Sequence, residues 1–185
     1  MIEQAKISYA RYLSAGEMTD EVIESALLLA QLDHIFRAGF VDKSIGTVYT
    51  EDVADLRNLI SIVDPGTFEA RGLCMLNPTF GEGSRLVGGA DVDLLIDDSL
   101  IDIKNTKSLR LTRGYLNQLV GYYILSKIGG VDGVPYAPKI ERIGIYYSRY
   151  AELYTVPVRT VVDEERLPLF IEWFRDRATS EYKPL

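Results

Sequence analysis

Residues 88–104 read Gly88-Gly89-Ala90-Asp91-Val92-Asp93-Leu94-Leu95-Ile96-Asp97-Asp98-Ser99-Leu100-Ile101-Asp102-Ile103-Lys104, and their alternation decides the fold. Val92, Leu94 and Ile96 alternate with Asp91, Asp93 and Leu95, which is the period of a strand. Asp97-Asp98 can turn the chain, after which Leu100, Asp102 and Lys104 take one face and Ile101 and Ile103 the other. A hairpin centred on Asp97-Asp98 sets Leu95 opposite Leu100, Asp93 opposite Asp102 and Asp91 opposite Lys104. Three carboxylates and one ammonium then share a face, and like charges opposite each other in a sheet repel. A divalent cation is the economical compensation, because Mg²⁺ selects hard oxygen ligands at short spacing and Lys104 alone is too little charge. An edge hairpin with a solvated polar face is the competing reading. Lys104 shows no sign of being a core residue.

Upstream of this hairpin the pattern is helical. Thr19 is a suitable N-cap, with Asp20 and Glu21 in the first turn, and Gly39 stands where a C-terminal glycine is expected. Between them Val22, Ala26 and Leu29, with Ile23, Leu27 and Ala30 beside them, form a wide apolar face. Thr50 likewise precedes Glu51 and Asp52, and Val53, Leu56, Leu59, Ile60 and Val63 follow until Asp64-Pro65-Gly66 stops the pattern. Downstream, a helix is predicted from about Thr112 to Ile128, ending at Gly129-Gly130. Strands follow from about Arg142 to Tyr147 and Tyr154 to Val158, then an amphipathic helix holding Leu169, Phe170, Trp173 and Phe174. A single domain over 1–185 is expected: a mainly helical part (1–66), a motif-bearing core (77–158) and a C-terminal helix (163–178).

At 185 residues and 47% hydrophobic content the chain can bury one core of ordinary size, and no apolar run approaches the roughly 20 residues of a membrane span. No secretory pattern opens the sequence, and Cys74 is its one cysteine, so a disulfide framework, a zinc-thiolate site and an iron–sulfur cluster are excluded and a cytoplasmic location is expected. The net charge of −7 conceals an asymmetry. Residues 1–103 carry 7 Lys and Arg against 18 Asp and Glu, whereas residues 104–149 carry 8 against 2. The middle of an acidic protein is basic, directly after the acidic hairpin. Glycines between Gly81 and Gly89 are not followed by Gly-Lys-Ser/Thr, so a nucleotide-binding loop is not expected.

Three short runs carry a resemblance: Gly88-Gly89-Ala90-Asp91-Val92-Asp93-Leu94, then Leu100-Ile101-Asp102-Ile103-Lys104, then Gln118-Leu119-Val120-Gly121-Tyr122. Together they resemble the RecB-type branch of the PD-(D/E)xK nuclease superfamily. That branch shows an aspartate after glycine and small residues, an acidic-x-Lys tripeptide on the next strand and Gln-x-x-x-Tyr on the next helix. The resemblance covers about residues 77–147. It implies an α/β, restriction-endonuclease-like core, a mixed central β-sheet flanked by helices, and Mg²⁺-dependent hydrolysis of DNA ahead of RNA, with Mn²⁺ substituting.

By that resemblance, Asp102 and one of Asp91 or Asp93 hold the metal with the main-chain carbonyl of Ile103, and Lys104 orients or activates the attacking water. The glycine pattern points to Asp91 and the hairpin register to Asp93. Gln118 and Tyr122, four apart, project from one helix face; the resemblance implies that Gln118 hydrogen-bonds within the site and that Tyr122 packs there or touches the nucleic-acid backbone. An upstream His or Glu often adds a ligand in that branch, for which His34 (beside Asp33), Glu69 and Glu24 are available. Lys107, Arg110 and Arg113 are expected to follow the phosphate backbone. The competing classes are a non-catalytic nucleic-acid-binding or assembly module retaining the fold, and a small-molecule metal phosphohydrolase.

Overall fold

The hairpin forms with Leu95 opposite Leu100 as predicted, but its ladder ends before the predicted aspartate pairs. The computed structural model describes residues 1–38, 41 and 44–182, without the side chains at 33, 34 and 36–38. Strand β2 (Leu94–Ile96) pairs antiparallel with β3 (Ser99–Lys104), Leu95 opposite Leu100 and Leu94 opposite Ile101, around the turn Asp97-Asp98. Asp97 takes φ 49, a left-handed conformation that Asp tolerates better than most residues, and its carboxylate accepts the backbone N–H of Arg71, Gly72 and Leu73 at 2.9–3.0 Å. Those bonds hold its carboxyl below the ordinary carboxylate range.

Strand β2 does not extend back to Val92 as the alternation predicts. The Asp93 carboxylate accepts the N–H of Ile103 at 2.6 Å, taking the place of a main-chain carbonyl and ending the ladder. Asp91 is instead bridged to Thr79, so it does not face Lys104. Val92 is fully buried in the same cluster as Leu95, so the chain bends at Asp93 instead of continuing to alternate. A short strand that the sequence pattern did not predict, β1 (Cys74–Leu76), pairs antiparallel with β2 on the far side.

On the other side β3 lies parallel to β4 (Arg142–Tyr147), which pairs antiparallel with β5 (Glu152–Pro157), giving the sheet order β1-β2-β3-β4-β5. A parallel pair needs a crossover. The predicted helix supplies it. Numbered in chain order it is α5 (Arg113–Gly129), capped by Thr112 Oγ1, which accepts from Tyr115 N, and ended by Gly130 at φ 73. Leu119, Tyr123 and Ile124 of α5 pack with Leu95, Leu100, Ile143 and Ile145 on one sheet face. Each such aliphatic side chain taken out of water stabilises the fold by about 1.5–3 kcal/mol. Ile96, Ile101 and Tyr146 face the other way and are covered by Val63, Phe68 and Ala70.

A short helix, α4 (Glu82–Leu86), packs on the C-terminal part of α5 through two glycines. A Cβ on Gly129 would meet Phe80 O at 1.9 Å and Gly83 N at 2.5 Å, both main-chain atoms that cannot rotate away. Gly129→Ala is therefore expected to destabilise by about 3 kcal/mol, the upper range of overpacking, and to lower the melting temperature by roughly 10 °C. Thermal denaturation followed by circular dichroism checks this; an unchanged midpoint would mean that α4 and α5 do not approach so closely.

The last helix, α6 (Leu167–Glu181), begins four residues later than predicted because Asp163 Oδ1 accepts from Glu165 N and Arg166 N in a turn. Its inward stripe is Leu167, Ile171, Phe174 and Ala178. Of the apolar residues expected on this helix Phe174 joins the stripe, whereas Leu169, Phe170 and Trp173 are exposed.

The chain divides into two compact units, 1–62 and 63–185, the second holding the sheet. In the first, α1 (Ile2–Ala15), α2 (Asp20–Ala38) and α3 (Thr50–Ser61) follow in order. Helix α1 escapes the periodicity because only Ala5 and Ser8 are buried on it. Ile23 is the buried centre of α2, whereas Leu29 is exposed, and an ion pair joins Asp20 to Arg57 of α3. Tyr49, not Thr50, occupies the N-cap position of α3. Among the described residues no helix is long and apolar enough to cross a membrane.

Candidate active site

The residues of the three runs meet at the end of β3, under the first turns of α5. Asp102 points to the α5 side of the sheet, like Leu100 two residues before it, and is 5% exposed. Lys104 Nζ lies 2.7 Å from Asp102 Oδ2 and donates to Gln118 Oε1 at 2.9 Å; Gln118 Nε2 donates to the Tyr122 hydroxyl at 2.7 Å. Tyr122 in turn lies near enough to Asp102 for that charge to act on its hydroxyl, so the four side chains run in one linked series from Asp102 through Lys104 and Gln118 to Tyr122. Spacing explains the helical half, since positions three and four apart on a helix are neighbours. Tyr115, Gln118 and Tyr122 form one such stripe, and the Tyr115 ring lies under the Lys104 ammonium, 5.1 Å from Nζ to the centroid. Tyr115 lies outside the three runs. Its place three residues before Gln118, directly after the Thr112 cap, is the signal that finds it.

Electrostatics in this series of side chains are set by burial. Desolvation pushes the Asp102 carboxyl up, the adjacent Lys104 ammonium opposes this, and the negative Asp93 adds to the rise. Burial likewise pushes the Tyr122 hydroxyl up to about 12, with the charges of Asp102, Asp93 and Asp91 acting in the same direction and the Gln118 hydrogen bond against them. Tyr122 is thus a neutral phenol at physiological pH, able to donate a hydrogen bond but not to serve as a base.

The carboxylates are better compensated than their spacing implies. Asp102 has Lys104, and Asp93 has the Ile103 amide. Lys104 is no surface lysine either: its side chain is 22% exposed and its partner's 7%. Among the described residues no three His, Cys, Asp or Glu side chains cluster so that they alone could hold a metal. The arrangement nonetheless fits a magnesium ion, which uses one or two carboxylates and keeps several waters. Asp102 Oδ2, buried beside the ammonium, accepts no hydrogen bond among the described residues. The Ile103 carbonyl is also in place. Lys104 O accepts from Ser148 N on the β4 side, and the Ile103 N–H is directed to Asp93. Since N–H and C=O of one strand residue point the same way, the Ile103 carbonyl faces the gap left where β2 ends.

The remaining expected residues fall in several places. Asp91 is near enough for its charge to act on Tyr122, though its backbone belongs to the Thr79 bridge. Glu69 is exposed between Phe68 and Ala70, which pack on the opposite sheet face, so the structure does not bring it to Asp102. Glu24 is exposed on α2 in the other unit, and the His34 side chain lies outside the described residues. Lys107, Arg110 and Arg113 are exposed on the connection from β3 into α5, and the Tyr150 hydroxyl donates to Lys107 O at 2.7 Å, tying that connection down. Comparison with known proteins gave no match: no family model, no curated protein and no solved structure is significantly similar to this chain.

Proposed function

We propose that this protein is a metal-dependent nuclease with a restriction-endonuclease-like core, hydrolysing phosphodiester bonds of DNA ahead of RNA. One observation carries the reading: Asp102, Lys104, Gln118 and Tyr122, drawn from two of the three resembling runs, are linked in series by an ion pair and two hydrogen bonds beside Asp93 of the remaining run. The element order supports it as well, with the aspartate at β2, Asp-Ile-Lys on the next strand and Gln-x-x-x-Tyr on the next helix.

Asp102, Asp93 and the Ile103 carbonyl would hold Mg²⁺. Such an ion supplies a nucleophilic water near neutral pH and relieves charge on the phosphate. The protein's own groups supply the rest. Lys104 presents a fixed positive charge where the phosphorane becomes more negative, which no carboxylate could do. Gln118 anchors Lys104 through its oxygen and Tyr122 through its amide, so the ammonium keeps one orientation. Asp93, held by Ile103 N through one oxygen, keeps the other for a cation.

The nucleic-acid track follows from charge. No acidic residue occurs from Ile103 to Val131, while Lys104, Lys107, Arg110, Arg113 and Lys127 do. The first turn of α5 has no acid to compensate the positive helix end, which favours phosphate nearby. Arg110→Glu with Arg113→Glu should weaken DNA binding and make the slope of log K against log salt shallower by roughly 2, one contact per residue. A salt titration of fluorescence anisotropy reads this. An unchanged slope would move the track elsewhere.

The reading is tested by incubating the protein with linear and circular DNA, RNA and mononucleotides in Mg²⁺, Mn²⁺ or EDTA. Cleavage of DNA with either metal and none in EDTA is expected. Cleavage of mononucleotides only would make it a small-molecule phosphohydrolase, and binding of DNA without cleavage a non-catalytic module.

A further inference from the structure

Lys104 is held from three directions, and only two of them belong to the resembling motifs. Asp102 Oδ2 lies 2.7 Å from Nζ and Gln118 Oε1 2.9 Å, while the Tyr115 ring centroid lies at 5.1 Å. A cation within about 6 Å of a ring centroid and over its face is attracted by the ring's quadrupole. Tyr115 is itself fixed. Its backbone N–H donates to Thr112 Oγ1 at 3.2 Å, so the cap that starts α5 also sets this residue over β3. Tyr147, which pairs with Lys104 in the β3–β4 register and is buried, walls the lysine on the other strand. An ammonium has three N–H donors and no acceptor. With its charge set against Asp102 Oδ2 and one N–H donated to Gln118 Oε1, the ammonium could still pivot about the line joining those two oxygens. A third contact, off that line, removes the pivot.

We propose that Tyr115 is a positioning residue whose ring face, lying under the Lys104 ammonium, fixes it so that an N–H not given to Gln118 is presented to the reacting phosphate. The inference rests on the nuclease reading and adds to it a residue outside the three motifs. It is the ring that matters, not the hydroxyl, so phenylalanine should serve and an aliphatic side chain should not. Tyr115 does not touch substrate in this account, so its loss acts on turnover and not on KM.

The test pairs Tyr115→Phe with Tyr115→Leu and takes two readouts. In NMR spectra the Lys104 ε-methylene protons of the wild type should be shifted upfield by the ring current. That shift should persist in Tyr115→Phe and vanish in Tyr115→Leu. In the cleavage assay Tyr115→Leu should lose about tenfold in kcat with KM unchanged, the scale of one cation–ring contact, and Tyr115→Phe should recover it. Lys104 resonances that do not move in Tyr115→Leu would overturn the proposal, as would a lost shift with undiminished kcat. Wild-type protein that cleaves nothing would instead remove the nuclease reading and the catalytic half with it. The NMR series would then still decide whether Tyr115 holds Lys104.

Discussion

Lys104→Ala is expected to lower kcat for phosphodiester cleavage by roughly a hundredfold or more, the usual scale for removing one aligned group from charge that develops in a transition state. The substitution also has a structural cost. Its partner Asp102 is nearly inaccessible, and taking away the ammonium leaves a buried carboxylate beside Asp93 with no cation. Breaking a buried pair in this way costs roughly 3 kcal/mol, which for a chain of this size lowers the melting temperature by about 10 °C. The two effects are separated by assaying cleavage well below the variant's own melting point, measured by circular dichroism. Lys104→Gln gives a second check, since it keeps donors in place but removes the charge. A folded Lys104→Ala protein cleaving at the wild-type rate would show that Asp-Ile-Lys is a coincidence of strand composition.

Asp102→Asn should act in opposite directions on function and stability. Binding of Mg²⁺ and cleavage should fall below detection, because the one buried carboxylate in the site is lost. Stability should rise. Burial holds the Asp102 carboxyl above its ordinary value in the folded state, so at neutral pH the charged form opposes folding. For a group raised on folding, the stabilising contribution is present below the unfolded value and lost as pH rises through the folded one. The amide removes that penalty, while Lys104 keeps Gln118 Oε1 and the Tyr115 ring. A gain of about 1 kcal/mol at pH 7 is expected, the usual size for relieving a strained functional group. The gain should shrink as pH falls through the ordinary carboxylate range, below which Asp102 is protonated in both states. Urea denaturation at pH 7 and pH 4, beside calorimetry with Mg²⁺, measures both halves. A variant less stable at pH 7 would mean that the Lys104 pair outweighs the burial of Asp102.

Local signals accounted for much of the motif-bearing core. Leu95 opposite Leu100 followed from alternation and a two-residue turn, and the ends of α5 followed from Thr112 and Gly129-Gly130. Three features were hidden. The bend at Asp93 depends on a side chain bonding to Ile103 across the hairpin, and alternation carries no information about that bond. The buried face of α6 is not legible because Leu169, Phe170 and Trp173 are as apolar as the buried stripe, and only packing tells the two sides apart. Strand β1 has three residues, too few for a period to register. At the site, the acidic residues and Lys104 could be read from type and spacing, but how they neutralise one another could not. Two carboxylates thought to need a metal each have a partner within the protein, so metal binding has to be argued from Asp102 Oδ2 and the Ile103 carbonyl.

The most direct test of the nuclease assignment is a cleavage assay on linear DNA with Mg²⁺, using wild-type, Lys104→Ala and Asp102→Asn proteins purified side by side. The account predicts metal-dependent cleavage by the wild type, abolished by EDTA and lost from both variants while they remain folded. Equal cleavage by all three, which would trace the activity to something other than these residues, or no cleavage by the wild type with either Mg²⁺ or Mn²⁺, would contradict it.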